Sequence, residues 1–344
     1  MKVSIIIPVY NVERYVIRCL ESVIAQKAQD IEIECVLIDD FSSDNSRQLV
    51  QSFVDSYNGN VRFVLIFHKT NRGPSAARNT GVEAASGDFI FFLDADDRIS
   101  INCISKLVAA LKEHPKADFA MGNIFRVKEM HTYMSEKQDV IMIDTQKELF
   151  LKLYEMKIPC SACNRLIRRE VFQNSYIRFV DGLLYEDMLW NYHLFLTIHS
   201  IVILPDVTYI YEDNGESIVN TTISRPNVVA NSFCFISNDI ICHISPCLHS
   251  NCLMYAFTIL LKAIDVHLRY TCDKEVFQCI KKSKLRLMGT TLRHGRFLLA
   301  FFFLLMYKPF CYLLLHSYIS KKFHRMSMLI VRIENVIDIV FGRK

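Results

Sequence analysis

The sequence has few residues that interrupt regular structure. Only 10 glycines and 8 prolines occur among 344 residues, and 51% of the chain is hydrophobic. Disordered, collagen-like and coiled-coil proteins have different compositions, so these three classes are excluded. The length and the apolar content predict a large buried core, either in one large domain with an appendage or in two modest domains.

Sequence signals of several protein classes are also missing. No Gly-x-Gly-x-x-Gly and no P-loop glycine-lysine pattern occurs, which argues against a dinucleotide oxidoreductase and a P-loop kinase. The first apolar run, Val3 to Val9, has the length of a strand and no small-residue cleavage site, so no secretory signal is predicted. The twelve cysteines are scattered, several of them in apolar runs, as is typical of a reducing compartment. We therefore predict a cytoplasmic location.

Charge is unevenly distributed along the chain. The whole chain carries +4, but residues 281–344 contain thirteen Lys and Arg against Glu334 and Asp338, a net charge of +11. The first 280 residues therefore carry −7. The sequence predicts an acidic body with a basic tail.

Hydrophobic periodicity alternates between strand and helix over the first hundred residues. Val3 to Tyr10 is a nearly continuous β-branched run, and the apolar residues from Val12 to Ile24 have the spacing of one helical face. Further strands are predicted at Ile33 to Asp40, Val61 to His68 and Asp88 to Asp94, with helices between them. This alternation predicts an α/β fold with a mostly parallel sheet flanked by helices.

The pattern beyond Ser100 is coarser. It predicts a helix to His114 and one domain boundary near Thr222, which divides the chain into domains of residues 1–222 and 223–344. After Asn214 the strand signal fades, and the rest of the chain is predicted to be helical. The remaining predicted elements are strands at Phe119 to Val127, Val140 to Ile143 and Ser200 to Tyr211, and helices at Gln146 to Met156 and Glu186 to Ile198.

Acidic residues follow two of the predicted strands. Asp39 and Asp40 end the second strand, and Asp94, Asp96 and Asp97 follow the fourth. Ligands bind open parallel sheets outside the carboxyl ends of the strands, so these side chains are expected to converge on one crevice. Asp94 and Asp96 suit a hard divalent cation, with a solvated acidic loop as the alternative. Asp39 and Asp40 can bind a pyrimidine N–H or ribose hydroxyls, or they can cap the next helix.

Four ordered segments carry a resemblance to a known family. They are VSIIIPVYNVERYVIRCLESVIAQ, VLIDDFSSDNS, NRGPSAARNTGVEAASGDFIFFLDADD and GLLYEDMLW, all within residues 1–215. Together they resemble the family 2 glycosyltransferases of bacterial cell-surface polysaccharide synthesis, which have a GT-A (Rossmann-like) fold. The resemblance implies that residues 1–222 form a nucleotide-sugar-binding catalytic domain and that residues 223–344 form a helical extension.

The resemblance also implies which residues bind the donor. Asp94, Ala95 and Asp96 match the Asp-x-Asp motif, which implies a Mg²⁺ or Mn²⁺ ion against the sugar-nucleotide diphosphate. Arg78 falls where the family places a residue near the donor, with a helix-surface arginine as the alternative. Phe41 stands where a glycine is usual, so this loop lacks the φ freedom of glycine. The implied uridine pocket consists of Pro8, Val9, Tyr10, Glu13 and the acidic pair, with Asp40 ahead of Asp39.

Glu186 and Asp187 match the family's Glu-Asp pair. The resemblance implies that Asp187 is the general base, which takes the proton of the acceptor hydroxyl as that hydroxyl attacks and inverts the anomeric carbon. Glu186 beside it is a like charge that can raise its pKa. The alternative is that both acids only interact with the dipole of a helix N-terminus.

The segment Pro159 to Phe172 contains a cysteine pair and three arginines. Cys160 and Cys163 have the spacing of a redox or zinc pair, but no second pair lies at ligand spacing, so we interpret them as structural. The three arginines either face the pyrophosphate or the acceptor, or form a solvated helix face. They are Arg165, Arg168 and Arg169.

The C-terminal tail contains an apolar run of eleven residues, Phe297 to Tyr307, followed after Pro309 by Phe310 to Leu315. A spanning helix needs about 20 apolar residues, so an interfacial or re-entrant segment is predicted, with one kinked span as an alternative. The surrounding Lys and Arg favour anionic lipid head groups. A buried helical hairpin or a homodimer interface would also explain the pattern, whereas nucleic acid binding is disfavoured because the basic residues do not alternate with isolated aromatics.

The predicted function is that of an inverting hexosyltransferase. It would transfer a sugar from a UDP-sugar to a hydroxyl of a lipid-linked saccharide, such as a polyprenyl-diphosphate-linked oligosaccharide, in capsule, exopolysaccharide or O-antigen synthesis. The predicted location is the cytoplasmic face of the cell membrane, as a peripheral protein. Two alternatives stay open: a nucleotidyltransferase that makes a nucleotide-sugar, and a non-catalytic subunit that binds one.

Overall fold

The computed structural model describes residues 1–27, 30–134, 139–154, 158–174, 176–212, 224–245, 249–271, 273–296 and 300. The chain forms two compact units, one of residues 1–149 and 159–217 and the other of residues 150–158 and 218–344. The boundary predicted near Thr222 falls outside the described residues and stays a prediction. The apolar runs at 297–307 and 310–315 also lie outside them, apart from Ala300.

The first unit is built on a ten-stranded sheet. Its strands are β1 (Lys2–Val9), β2 (Glu32–Asp39), β3 (Arg62–Phe67), β4 (Phe89–Phe92), β5 (Arg98–Ile99), β6 (Phe119–Arg126), β7 (His131–Thr132), β8 (Ile141–Ile143), β9 (Arg165–Arg168) and β10 (Ile201–Tyr211). The order is β3-β2-β1-β4-β9-β6-β10-β5, with β7 on β6 and β8 on β10. Strands β3, β2, β1 and β4 are parallel, as are β6 and β10.

The helices alternate with the strands as the periodicity predicts. They are α1 (Val16–Ile24), α2 (Ser46–Ser56), α3 (Gly73–Ala84), α4 (Cys103–Glu113), α5 (Gln146–Tyr154) and α6 (Glu186–Thr197). Helix α1 buries Val16, Cys19, Leu20 and Val23, which lie on one helical face. Helix α3 approaches the sheet closely at Gly81, where a Cβ atom would lie 2.3 Å from Ile6 Cγ2. The predicted α/β class with a mostly parallel sheet is confirmed.

The strand order reverses at β1. Chain order runs outward from β1 through β2 to β3 on one side, and β4 lies on the other side of β1. In open α/β sheets this switch point opens a crevice at the carboxyl ends of the strands. Here it lies between the residues that follow β1 and β2 and those that follow β4.

Strand β9 was not predicted. It runs antiparallel between β4 and β6, with Leu166 paired to Phe91 and to Ala120. The alternative of a solvated helix face is wrong for Arg165 and Arg168, because both lie in β9 and Arg165 is fully buried. Arg169 begins a turn of 3-10 helix and is exposed.

The described part of the second unit is helical. It contains α7 (Pro226–Cys242), α8 (His249–Val266) and α9 (Lys274–Arg293). Ser237 donates a buried 2.9 Å hydrogen bond to the Ala256 carbonyl and joins α7 to α8. The stretch Ser250–Thr271 is long and apolar enough to cross a bilayer, but 61% of its most apolar window is buried, as in a core helix. The helical C-terminal region is confirmed for the described residues.

Candidate active site

The loops after β1 and β2 are joined by hydrogen bonds at the carboxyl end of the sheet. The parallel register places Val9 opposite Asp39, and the backbone N–H of Asp40 donates to the Val9 carbonyl at 2.8 Å. One step further, the N–H of Asn11 donates to Ser42 Oγ at 3.2 Å. The two loops therefore continue the strand pairing into the crevice.

The residues after β1 have different exposures. Pro8 is half-buried, Val9 is buried and Tyr10 is 46% exposed. Glu13 is half-buried, and its Oε2 accepts the backbone N–H of Asn45 at 2.9 Å and the side-chain amide of Asn45 at 2.8 Å. Glu13 thus fixes the residue before α2, and Tyr10 is the accessible side chain of this set.

Asp39 and Asp40 are both buried, but their carboxylates have different surroundings. Asp40 accepts the backbone N–H groups of Arg72 at 2.9 Å and Gly73 at 2.7 Å, and its Oδ1 lies 2.7 Å from His68 Nδ1. Gly73 has φ of +84°, which glycine adopts without strain. Both carboxylate oxygens of Asp39 are buried without a hydrogen-bond partner among the described residues. Asp40 therefore organises the loop before α3, whereas Asp39 keeps its hydrogen-bonding capacity.

Phe41 adopts the backbone conformation of the glycine that it replaces. Its φ is +64°, in the left-handed region, and its side chain is 53% exposed. An L-residue in this region carries backbone strain. The loop therefore carries local backbone strain at Phe41.

The Asp-x-Asp segment follows β4 directly. Asp94 and Asp96 are half-buried, Ala95 is buried, and Asp97 is 2% exposed. Tyr209 on β10 donates its hydroxyl proton to Asp97 Oδ2 at 2.7 Å and accepts the Asp94 backbone N–H at 3.3 Å. Burial, followed by the charges of Asp94 and Asp96, raises the pKa of Asp97 to about 9.

Arg78 on α3 lies between two acidic segments. It is 6% exposed, so the alternative of a helix-surface arginine is wrong. Its Nη1 donates to Glu186 Oε1 at 2.7 Å, and its Nη2 donates to Asp94 Oδ1 at 3.0 Å. Burial alone would lower the pKa of Arg78, but the charges of Asp187, Asp94 and Glu186 outweigh burial and hold it well above its usual value. The guanidinium is therefore a permanent cation inside an acidic cluster.

Asp187 lies in the first turn of α6, beside this cation. Its Oδ1 lies 3.9 Å from Arg78 Nη1 and is buried without a hydrogen-bond partner among the described residues. Burial raises the pKa of Asp187, Arg78 opposes that shift, and Glu186 and Asp94 add to it, so that the pKa rises to about 7. A carboxylate with this pKa is suited to accept a proton near neutral pH.

The donor atoms after β4 can be compared with the needs of a divalent cation. Asp94 and Asp96 are half-buried carboxylates, and hard cations such as Mg²⁺ and Mn²⁺ prefer such oxygen ligands. After burial, the charges of these same two residues are the next largest cause of the raised pKa of Asp97, so negative charge is concentrated here. The residues present therefore fit a divalent cation.

Two residues support the site in a way that the sequence analysis did not predict. Asn191 on α6 donates to the Asp187 carbonyl at 2.7 Å, one helical turn back. Arg165 on β9 donates to Asn191 Oδ1, and its guanidinium packs against the rings of Phe119 and Trp190. Through Asn191, this buried arginine is linked to the first turn of α6, which carries Asp187. Its role depends on pairings between β9, β6 and α6 that periodicity does not reveal.

Comparison with known proteins identifies the family. The family model described as Glycosyl transferase family 2 matches residues 4–175, which are half of the chain. The uncharacterized glycosyltransferase EpsJ of Bacillus subtilis is 29% identical over 220 residues, which cover 63% of this chain and 62% of that protein. Glycosyltransferase GlyG of Streptococcus pneumoniae is 28% identical over 229 residues, which cover 64% of this chain and 73% of that protein. The match thus spans less than two thirds of the Bacillus relative.

Solved structures show the same fold. The crystal structure of residues 1–349 of Staphylococcus aureus TarS, in complex with UDP-GlcNAc, superposes with a TM-score of 0.64 at 21% identity. The superposition covers 84% of this chain and 81% of that chain. The fold is shared, and the family match includes Tyr10, Asp39, Arg78 and the Asp-x-Asp segment. The chain belongs to glycosyl transferase family 2.

Proposed function

We propose that this chain is an inverting glycosyltransferase that moves a sugar from a UDP-sugar to a hydroxyl group of a lipid-linked saccharide in cell-surface polysaccharide synthesis. One observation carries the proposal. Arg78 joins the Asp-x-Asp residue Asp94 to Glu186 and lies 3.9 Å from Asp187, so that candidate donor-binding and base residues share one cation. Family membership supports sugar transfer as the reaction.

The donor's uridine is proposed to bind between the loops after β1 and β2. Asp39 supports this placement because no described residue donates a hydrogen bond to its buried carboxylate, and a pyrimidine N–H or a ribose hydroxyl would supply one. Tyr10 offers an exposed ring at the same edge. The proposed pocket residues are Pro8, Val9, Tyr10, Glu13, Asp39 and Asp40, of which Glu13 and Asp40 shape the loops.

Asp94 and Asp96 are the residues proposed to hold Mg²⁺ or Mn²⁺. When bound, such a cation stabilises the negative charge of the leaving diphosphate. Tyr209 holds the backbone of this segment through its contacts with Asp94 and Asp97. Arg78 keeps Asp94 in place and adds positive charge of its own.

Asp187 is the proposed general base. The acceptor oxygen attacks the anomeric carbon while the bond from that carbon to the β-phosphate oxygen breaks. The bonding pair leaves with UDP, the hydroxyl proton moves to the Asp187 carboxylate, and the anomeric carbon is inverted. The pKa of about 7 supports this role. Glu186 acts as a positioning residue, because its carboxylate is occupied by Arg78.

The test of this function is a donor screen that measures UDP release from the full-length protein in detergent or lipid, with Mg²⁺ or Mn²⁺ and with EDTA as control. UDP-GlcNAc is the first donor to test because TarS binds it. We expect metal-dependent release from one UDP-sugar. Binding of UDP without turnover would indicate a missing acceptor, whereas failure to bind any UDP compound would contradict the donor assignment.

The C-terminal region, residues 223–344 in the proposed division, is the part proposed to contact the membrane. Helix α9 contains six Lys and Arg residues and only one acidic residue, Glu275. Three apolar side chains on it are also exposed, Phe277 at 52%, Leu285 at 63% and Leu292 at 48%. A basic helix with an exposed apolar face suits a surface of anionic lipid. A peripheral position on the inner face of the cell membrane would bring the catalytic unit to a lipid-linked acceptor.

Vesicle sedimentation tests the membrane proposal. The full-length protein should sediment with vesicles of phosphatidylglycerol and phosphatidylcholine and should stay in solution with phosphatidylcholine alone. The charge reversal Lys281→Glu/Lys282→Glu should lower the partition coefficient onto the anionic vesicles about tenfold or more, since each charge near an anionic surface contributes about 1 kcal/mol. Lys112→Glu/Lys116→Glu, which changes two exposed lysines of the first unit, is the matched control. Equal sedimentation of both variants would contradict α9 as the contact.

A further inference from the structure

Phe41 is an unusual residue for its backbone conformation. Among the described residues, six that are not glycine have positive φ: Asn11, Asp30, Phe41, Met130, Asn164 and Tyr185. Asn and Asp tolerate this region better than other residues, whereas a bulky aromatic side chain there is strained. The strain at Phe41 is not offset by packing, because the side chain is 53% exposed. Stability of the fold therefore does not explain why an aromatic residue occupies this strained position, and a functional role is the remaining explanation.

The position of Phe41 supplies that explanation. The Asp40 N–H bonds to the Val9 carbonyl and the Asn11 N–H bonds to Ser42 Oγ, so Phe41 and Tyr10 occupy neighbouring places in the two joined loops. Tyr10 is also exposed, at 46%. Two accessible aromatic side chains thus flank the carboxyl ends of β1 and β2, where ligands of open α/β sheets bind.

A second, independent observation points to a ligand at this edge. Asp39 precedes Phe41 by two residues, is 3% exposed, and has no hydrogen-bond partner for either carboxylate oxygen among the described residues. Buried carboxylates are normally hydrogen-bonded, so a missing partner marks a place where a ligand group is expected. A nucleobase provides both an N–H for the carboxylate and a flat face for an aromatic ring.

We propose that Phe41 is a donor-affinity residue, whose ring provides a stacking face for the nucleobase of the nucleoside diphosphate. This inference rests on the proposed function and deepens it. It assigns to this chain a contact that a glycine at the same position cannot make. The strained backbone is then retained because the ring binds the base, since stacking of a base on an aromatic side chain stabilises the complex.

The test compares UDP binding and thermal stability in Phe41→Gly and wild type, both as full-length protein, by isothermal titration calorimetry and thermal unfolding. The dissociation constant for UDP should rise roughly tenfold. The Tm should be equal or higher, because glycine relieves the strain. UMP should lose affinity by the same factor as UDP, since the lost contact is with the base. Phe41→Tyr should bind UDP within about twofold of wild type, and Phe41→Leu should resemble Phe41→Gly.

Met130→Gly is the matched control. Met130 also has positive φ, 51°, is 74% exposed, and lies in the turn between β6 and β7. This variant should raise or keep the Tm and leave UDP affinity unchanged. Unchanged UDP affinity in Phe41→Gly would overturn the proposal, and so would a parallel loss of Tm and affinity, which would indicate a structural role. A wild-type protein that binds no nucleoside diphosphate would instead overturn the proposed function together with this inference.

Discussion

Arg78 Nη1 lies 2.7 Å from Glu186 Oε1, although 108 positions separate the two residues in the chain. The other terminal nitrogen of the same guanidinium contacts Asp94 at 3.0 Å. One buried cation therefore joins α3, the segment after β4 and the start of α6. Removing it leaves the carboxylates of Asp94 and Glu186 without this positive charge.

Arg78→Met should reduce the free energy of unfolding by about 3 kcal/mol, because breaking a buried ion pair leaves an uncompensated buried charge. Urea unfolding measures the change, and a double-mutant cycle with Glu186→Gln isolates the pair. The combined variant should be clearly less destabilised than the sum of the single variants. Arg178→Met is the control, since Arg178 pairs with Glu83 where both side chains are more than half exposed, and its loss should stay below about 1 kcal/mol. Additive effects in the cycle would contradict direct coupling.

Asp187→Asn should lower kcat by about 10²- to 10⁴-fold while the affinity for UDP stays within about twofold. The amide keeps the shape of the side chain but cannot accept the hydroxyl proton. Turnover and UDP titration on the same preparation separate the two effects. Asp206→Asn, at an exposed carboxylate that pairs with Lys106, should leave both unchanged. Full turnover in Asp187→Asn would remove Asp187 from the base role.

Asp39→Asn and Asp40→Asn should have opposite consequences. Asp39 is a buried carboxylate without a hydrogen-bond partner in the described part of the chain, so its amide variant should unfold at the same or higher urea concentration. The same variant should bind UDP at least about tenfold more weakly. Asp40 accepts two backbone N–H groups, and its variant should lose about 2 kcal/mol of stability. Calorimetric UDP titration and urea unfolding provide both readings. If both variants changed stability and UDP affinity in the same way, the assignment of UDP binding to Asp39 and of loop stability to Asp40 would be refuted.

Glu34 should contribute stability that depends on acid pH. Burial alone would raise its pKa, but hydrogen bonds from Ser86, Ser4 and Lys2 outweigh burial and lower the pKa from 4.5 to about 2. The folded state therefore binds this proton less readily than the unfolded state. Its contribution, up to about 3 kcal/mol, is fully present above about pH 4.5 and is lost as the pH falls toward 2.

Urea unfolding at a series of pH values tests the Glu34 contribution. Glu34→Gln should be less stable than wild type at neutral pH, and the difference should shrink as the pH falls from 4.5 toward 2. Glu113→Gln, at an exposed site at the end of α4, should follow wild type throughout. A constant difference between Glu34→Gln and wild type across this range would show that the Glu34 charge does not matter.

Local patterns predicted much of the fold, and long-range contacts explain what they missed. Strands β1 and β2 are buried on both faces and are therefore nearly continuous apolar runs, which the sequence pattern predicts correctly. Strand β9 appears polar because Arg165 lies within it, yet aromatic rings and Asn191 compensate that charge inside the core. Those partners come from β6 and α6, so no short segment contains the information.

The candidate site shows the same limit. The resemblance to the family pointed to Asp94, Asp187 and Arg78 as separate residues, and the structure brings them together. The family pattern put Asp40 ahead of Asp39 as a ligand of the nucleotide. The structure shows Asp40 occupied by the backbone of Arg72 and Gly73, a contact across 32 or more positions. The backbone of Arg72 and Gly73 donates hydrogen bonds to Asp40. This loop is distant from Asp39 and Asp40 in the sequence, so the residues around the pair do not reveal which carboxylate has these partners.

The position of β9 between β4 and β6 also sets an order of events during synthesis. Strand β1 precedes β4 in the chain and is available to pair with it as soon as β4 is synthesised. The other neighbour of β4 is β9, which begins 73 residues after Phe92. At about 5–20 residues per second the ribosome needs about 4–15 s to make that stretch. During this time a strand of three phenylalanines and one isoleucine has an open edge, which can pair with other nascent chains. Slower translation of residues 93–164 should therefore lower the yield of folded protein without any change in sequence.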